Sequence, residues 1–338
     1  MKKIFLTAAA CFCASMFMSC NSSIGNILGT EEKLDTVSYV MGMSIAKQIE
    51  EGIMPQLKAD YDVIIETIEE SFDGKKSFKV GDVEITKENL QELGMKYLGP
   101  GIGPKVQAAM ADTTGMTEVF DNETDKKIAS TILGVDIASG TENAPFEIKP
   151  KSFMNAIKDV HNKTQIMTDE EAEKYFTNYF TVVLPAENAR LSKEWLAGIE
   201  KEDGVKKTES GILYKIIEEG DMSAKAVNDT DVVKVLYTGK TRKDKVFDSN
   251  RWNDMPEQRK KMIETYQPDQ ACDNPIEFPL NRVIPGWTEG MKLVGKGGRI
   301  ILWIPSELAY GENGAGQDIG ANEALCFDVE LLDVTAAE

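Results

Sequence analysis

Apolar residues recur at helical spacing through the first part of the chain and at alternate positions towards its end. From Asp35 to Ile49, Val40, Met43, Ala46 and Ile49 fall on one face beside Gly42, which predicts an amphipathic helix. Asp125 to Ser139 repeats the arrangement, with Ile132-Leu133-Gly134 standing on Val40-Met41-Gly42 at an offset of 92 residues. The same offset lays Tyr61, Ile65 and Ile68 on Phe153, Ile157 and Val160, both triads spaced i, i+4, i+7. A third helix opens at Thr86-Lys87-Glu88-Asn89 in one copy and at Thr168-Asp169-Glu170-Glu171 in the other. The second of these is a capping box; the first has the capping Thr with Asn in the fourth place. An extra stretch from Val80 to Ile85 accounts for the shifted offset there. The pattern is that of a duplicated three-helix unit. Pro185 breaks or restarts the helix that follows, and Ala186 to Glu200 continues as a charged amphipathic segment.

From Gly204 onward the period becomes two. Leu213–Ile217, Val232–Thr238, Lys245–Asp248, Ile276–Leu280, Arg299–Ile304 and Ala324–Val334 are predicted strands. In the last of them Leu325, Phe327, Val329 and Leu331 alternate with Cys326, Asp328 and Glu330, as in a half-buried strand. One short helix fits Gly286 to Val294. Many strands with one helix predict an α+β domain, an antiparallel sheet wrapped on that helix, behind an all-α repeat region. The chain is therefore multidomain.

The N-terminus changes this picture. Lys2 and Lys3 precede a stretch, Ile4 to Met18, that is almost wholly apolar or small and too short to span a bilayer well, which reads as an export signal. It ends in Phe17-Met18-Ser19-Cys20, which resembles the lipobox of bacterial lipoproteins and implies lipidation at Cys20. Asn21 to Gly29 has the polar composition of a tether. With 56 acidic residues against 38 basic ones, the net charge of −18 repels nucleic-acid phosphates; nucleic acid is not an expected partner. Beyond Cys20 only Cys272 and Cys326 remain, and His161 is the only histidine. That supply leaves no disulfide framework and no expected metal site.

Several ordered blocks in the last domain carry a resemblance. They are Val235-Leu236-Tyr237-Thr238-Gly239, Val246-Phe247-Asp248-Ser249, Phe278-Pro279-Leu280 through Gly290-Met291, Ile304-Pro305 through Tyr310-Gly311, and Phe327-Asp328-Val329-Glu330-Leu331-Leu332. From about Gly211 to Val334 the chain resembles the FKBP-type peptidyl-prolyl cis/trans isomerases. The resemblance implies a pocket of Tyr237, Phe247, Asp248, Val283, Ile284, Trp287, Tyr310 and Phe327. Trp287 would be its floor, Tyr237, Phe247 and Phe327 its walls, and Val283 and Ile284 its lip. Phe278 or Ile276 would complete the apolar wall, and Ile319 would face it from the opposite loop. No cofactor is implied. A catalytically silent chaperone on the same fold is the second reading, because the loop Ala315 to Asn322 lacks the prolines common there. About 25 residues between Asn250 and Asn274, with a helix expected from Glu257 to Tyr266, form an insertion beside the pocket.

The helical part, and above all Ala186-Glu187-Asn188-Ala189 through Ser210-Gly211, resembles the N-terminal domains of macrophage infectivity potentiator-like FKBPs. Those domains form intertwined homodimers, so two copies in one chain imply either a homodimer or an internal pseudo-dimer. The expected organisation is a signal peptide (1–19), a tether (20–30), repeat 1 (31–115), repeat 2 with the connecting helix (116–203) and the catalytic domain (204–338). The expected partners are unfolded or proline-containing exported polypeptides. The expected place is the cell envelope, with a lipid anchor at Cys20 in an outer membrane.

Overall fold

The computed structural model describes residues 35–142 and 144–337; the signal, Cys20 and the tether lie outside the described residues. The chain divides into two compact units, one ending at Tyr179 and one beginning at Phe180. The division therefore precedes the connecting helix, which sequence alone assigned to the helical repeats.

In the first unit, α1 (Thr36–Lys47) starts where the Asp35 carboxylate accepts from the Ser38 N–H. A π-helical segment (Gln48–Ile53) leads to the short α2 (Met54–Leu57). Next comes α3 (Tyr61–Phe72), capped by Asp60. A hairpin of β1 (Ser77–Val80) and β2 (Val83–Thr86) fills the stretch that shifted the repeat offset. Then come α4 (Leu90–Tyr97), α5 (Gly103–Ala111), α6 (Glu123–Thr141), α7 (Pro150–Asn162) and α8 (Asp169–Asn178). At Thr86 the Asn89 side chain returns the capping bond that Glu171 returns at Thr168. The substitution is conservative in function.

Each repeat lends its first helix to the other: α1 packs on α7, and α6 packs on α3. The crossings are equivalent. Ser38 Oγ accepts from the Lys149 N–H ahead of α7, and Ser130 Oγ accepts from the Asp60 N–H ahead of α3. At the first crossing a Cβ on Gly42 would lie 2.3 Å from Phe153 O and 2.9 Å from Ala156 Cβ. At the second, a Cβ on Gly134 would lie 2.5 Å from Thr67 Cβ and 2.9 Å from Ile64 O. These pairs relate the first helices by 92 residues but the second helices by 89. Ile64 and Ile68 thus correspond to Phe153 and Ile157, all four without exposed surface. The expected match of Tyr61 to Phe153 is one helical turn out of register.

The second unit enters α9 (Leu184–Ile199) directly from a π-helical stretch ending at Val183, with Pro185 at the second position of α9. Its strands are β3 (Lys206–Lys207), β4 (Leu213–Glu218), β5 (Asp221–Lys225), β6 (Val232–Thr241) and β7 (Val246–Ser249). The insertion carries α10 (Glu257–Tyr266). There follow β8 (Ile276–Pro279), α11 (Pro285–Gly290), β9 (Gly295–Lys296), β10 (Gly298–Ile304) and β11 (Leu325–Thr335). The main sheet is antiparallel in the order β3-β4-β10-β11-β6-β7, with β8 also pairing β6. Helix α11 lies directly on β10 because Gly286 and Gly290 face it. Added Cβ atoms there would come within 2.4 Å of Ile304 and 2.5 Å of Leu302. That close approach sets the depth of Trp287 between them. No helix among the described residues is long and apolar enough to cross a membrane.

Candidate functional site

Five aromatic rings meet above the helix-bearing face of the sheet. Trp287, third residue of α11 and 4% exposed, is their centre. Tyr237 from β6, Phe327 from β11 and Phe278 from β8 stand edge-on to it, with centroids 5.2, 5.4 and 5.9 Å away. Phe247 from β7 meets Phe327 in the same way at 5.6 Å. Edge-to-face pairs place positive ring edges on negative ring faces, each worth about 0.5–1.5 kcal/mol beyond burial. Space for the Phe247 and Phe327 rings comes from Gly239 on β6. A Cβ there would stand 2.7 Å from one ring and 2.9 Å from the other. Trp287 Nε1 is buried and makes no hydrogen bond within the described residues. The enclosure is otherwise apolar.

Its polar rim is organised by Asp248. One carboxylate oxygen accepts from the Tyr237 hydroxyl and the other from Arg259 Nη1 at 2.8 Å. Burial, then the bond to Asp248 and its charge, push the Tyr237 phenol far above its ordinary value. Tyr310, 37% exposed, is also raised, first by burial and then by the Asp248 charge. Both hydroxyls therefore stay protonated as donors across the neutral range. Val283 and Ile284 are half-buried and pack against the same core just ahead of α11. Ile319, 7% exposed, joins that core from the loop after Tyr310.

The structure thus brings Tyr237, Phe247, Asp248, Val283, Ile284, Trp287, Tyr310, Phe327, Phe278 and Ile319 to one place. Between the two residues considered for the remaining wall, Phe278 is the one in ring contact with Tyr237 and Trp287. Ile276 pairs with Val235 two residues away and stays outside the buried cluster. Two residues matter to which sequence reading gave no role, one at the edge of the insertion and one within it. Asn250 is buried and bonds the Tyr237 N–H through Oδ1 at 2.6 Å and the Val235 carbonyl through Nδ2 at 2.9 Å. This pins β6 where Tyr237 leaves it. Arg259 reaches from α10 to the Asp248 carboxylate. The insertion is tied at its base by Thr238 Oγ1 donating to Asp254 Oδ2 at 2.6 Å and by the Trp252 N–H donating to Asp273 Oδ1 at 2.7 Å.

Other chemistries find no support among these groups. Cys272 is exposed and Cys326 half-buried, and neither is in a disulfide. Burial pushes the Cys326 thiol up to about 12, so it is not a nucleophile at neutral pH. His161 stacks on Tyr61 and contacts Glu50 in the helical unit. No cluster of His, Cys, Asp and Glu that could hold a metal ion occurs among the described residues.

Comparison with known proteins finds matches to one family. Residues 223–332 match the family described as FKBP-type peptidyl-prolyl cis-trans isomerase. Residues 126–216 match the domain amino-terminal to FKBP-type peptidyl-prolyl isomerase; that match runs from α6 through α9 and into β4. A probable FKBP-type isomerase FkpA of Neisseria meningitidis is 36% identical over 62% of this chain and 75% of its own length. A probable isomerase of the same type from Haemophilus influenzae is 35% identical over 68% of this chain and 94% of its own. The outer membrane protein MIP of Legionella longbeachae is 28% identical over 68% of this chain and 94% of its own. The crystal structure of FkpA from Escherichia coli is 31% identical, covering 65% of this chain and all of that one, with a TM-score of 0.37. The chain belongs to the FKBP-type peptidyl-prolyl cis-trans isomerases and is an enzyme of that class.

Proposed function

We propose that the enzyme binds proline-containing segments of exported polypeptides in the aromatic enclosure around Trp287 and acts from the cell envelope, anchored at Cys20. The carrying observation is the edge-to-face packing of Tyr237, Phe278 and Phe327 on Trp287, bordered by the phenols near Asp248. An X-Pro amide rotates over a barrier of about 18–20 kcal/mol because the planar form is resonance-stabilised. Uncatalysed exchange takes roughly 10–100 s. The twisted transition state has lost most of that resonance and much of the amide dipole. An apolar, water-excluding enclosure therefore disfavours the planar form more than the twisted one, at about tenfold in rate per ~1.4 kcal/mol of difference.

In this reading Trp287 is the floor under the prolyl ring, and Phe247, Phe278 and Phe327 are walls. Val283, Ile284 and Ile319 close the lip. The Ile284 N–H and the Tyr310 hydroxyl donate to substrate carbonyls. Asp248 holds the Tyr237 phenol and the Arg259 guanidinium at the rim. No nucleophile, proton transfer or cofactor is required.

Support for the envelope comes from the apolar N-terminal stretch ending in Cys20 and from the similarity to a protein named as an outer membrane protein. The exchange of first helices between the repeats supports an internal pseudo-dimer, and so a single-copy protein. Protein beginning at Asn21 is expected to accelerate exchange of a short X-Pro peptide, and a full-length Cys20→Ser variant is expected to leave the membrane fraction. A folded sample without acceleration contradicts the first part. Membrane retention of the variant contradicts the second.

A further inference from the structure

The loop that carries Ile319 to the pocket is held from outside by the helix that leads into the domain. Asn188 and Ser192 sit one turn apart on α9 and are 6% and 5% exposed. Buried polar side chains at a helix surface need partners, and these find theirs at the end of the loop. Asn188 Nδ2 donates to Ala321 O at 3.1 Å, while its Oδ1 accepts from Arg242 Nη2 at 3.1 Å. The Ser192 hydroxyl donates to Asn322 O at 3.1 Å and accepts from the Ala324 N–H at 2.9 Å. In return Asn322 Nδ2 donates to Pro185 O at 3.3 Å. Gly320 leaves room for this approach, since a Cβ on it would lie 2.7 Å from Asn188 Nδ2.

The loop's own sequence does not stiffen it. Gly311, Gly314, Gly316 and Asn322 all have positive φ, and the segment from Ala315 to Asn322 contains no proline. Chain of that composition has high conformational entropy to lose. Its bonds include the paired Ala315 and Ile319 backbones, the Asn322 N–H on Gly311 O, and the Gly320 N–H on Glu323 Oε2 at 2.9 Å. The Lys245–Asp318 ion pair at the tip is exposed on both sides and contributes little. Its one apolar anchor of size is Ile319, packed with Trp287 and Phe327.

We infer that Asn188 and Ser192 are positioning residues for isomerisation: through Ala321, Asn322 and Ala324 they hold the loop so that Ile319 closes the pocket. The connecting helix is on this account a working part of the catalytic unit, in place of the loop prolines. The inference rests on the pocket reading for its effect on turnover, but not for its effect on the loop.

The test compares Asn188→Ala, Ser192→Ala and Ser192→Thr in the otherwise complete chain, with Arg190→Ala as a control. Arg190 pairs with Glu187 and Glu194 on the exposed face of α9 and touches no loop residue. Two readouts are taken: amide hydrogen exchange of residues 311–324, and kcat/KM on a short X-Pro peptide. Asn188→Ala and Ser192→Ala are expected to speed loop exchange selectively and to lower kcat/KM about tenfold, the order expected from losing buried hydrogen bonds. Ser192→Thr, which keeps the hydroxyl, is expected to recover most of both, and Arg190→Ala to change neither. Unchanged loop exchange in folded Ala variants overturns the clamp. Faster loop exchange with unchanged kcat/KM overturns the positioning role. Exchange that rises equally across the β-sheet would make the two residues merely structural and also overturns it.

Discussion

Replacing Trp287 with Ala is expected to bring catalysed X-Pro exchange down to the uncatalysed rate while leaving the helical unit unaffected. The side chain supports three edge-to-face contacts at once, so its loss removes both the floor and the reference against which the walls are set. Large-to-small aromatic substitutions in cores cost about 3–5 kcal/mol, against a total stability of about 5–15 kcal/mol for a domain. The catalytic unit is thus expected to remain folded but weakened. Trp287→Phe separates the two effects. It keeps an aromatic floor and discards the buried Nε1–H that no described residue satisfies, so it is expected to lose less stability and to retain measurable exchange. Tyr310→Phe should fall only about three- to tenfold, as for one neutral hydrogen bond of about 0.5–1.5 kcal/mol. The check is peptide exchange beside near-ultraviolet circular dichroism. A Trp287→Ala protein with native dichroism and wild-type turnover would remove the enclosure from the mechanism.

Much of this site was legible in the sequence because its residues sit in short ordered blocks whose neighbours also specify the fold. Gly239, Gly286 and Gly290 lie within those blocks, and their missing side chains make room for the aromatic rings and for α11. The alternating strands were equally legible: β4, β6, β7, β8, β10 and β11 fall within a few residues of the expected runs. The short β5, mostly exposed, and the two-residue β3 and β9 were not, since an exposed or very short strand carries no alternation to read. Contacts between distant segments leave no periodic trace either. Nothing in the spacing of Arg259 from Asp248, or of Asn188 and Ser192 from the loop end, marks those pairs before the chain is folded. The boundary at residue 204 follows the change of period, whereas packing assigns α9 to the domain beyond it.

The helical repeat shows the same limit. A shift of three residues returns nearly the same face of a helix, so triads at i, i+4, i+7 match almost equally well at an offset of 92 or 89. The crossing points distinguish the two, because glycine is needed only where backbones touch. That distinction yields an opposite-sign prediction for two glycine-to-alanine changes. In helix interiors Ala is favoured over Gly by about 1 kcal/mol. At Gly94 in α4 nothing lies within 4 Å of an added Cβ, so Gly94→Ala is expected to stabilise by up to that amount. At Gly42 the new methyl would meet Phe153 O at 2.3 Å, and α1 must move off α7. Overpacking of this kind costs about 1–3 kcal/mol and exceeds the propensity gain because the obstacle is backbone, which cannot rotate aside. Gly42→Ala is therefore expected to lower the Tm of the helical unit by several degrees, at roughly 2–4 °C per kcal/mol for a unit of this size, with peptide exchange unchanged. Because α1 and α7 belong to one chain, that Tm should not depend on protein concentration, and light scattering at micromolar concentration should read a single chain. A Gly42→Ala protein as stable as Gly94→Ala would contradict the exchanged packing. A stable dimer whose Tm rises with concentration would place the pairing between chains instead of within one.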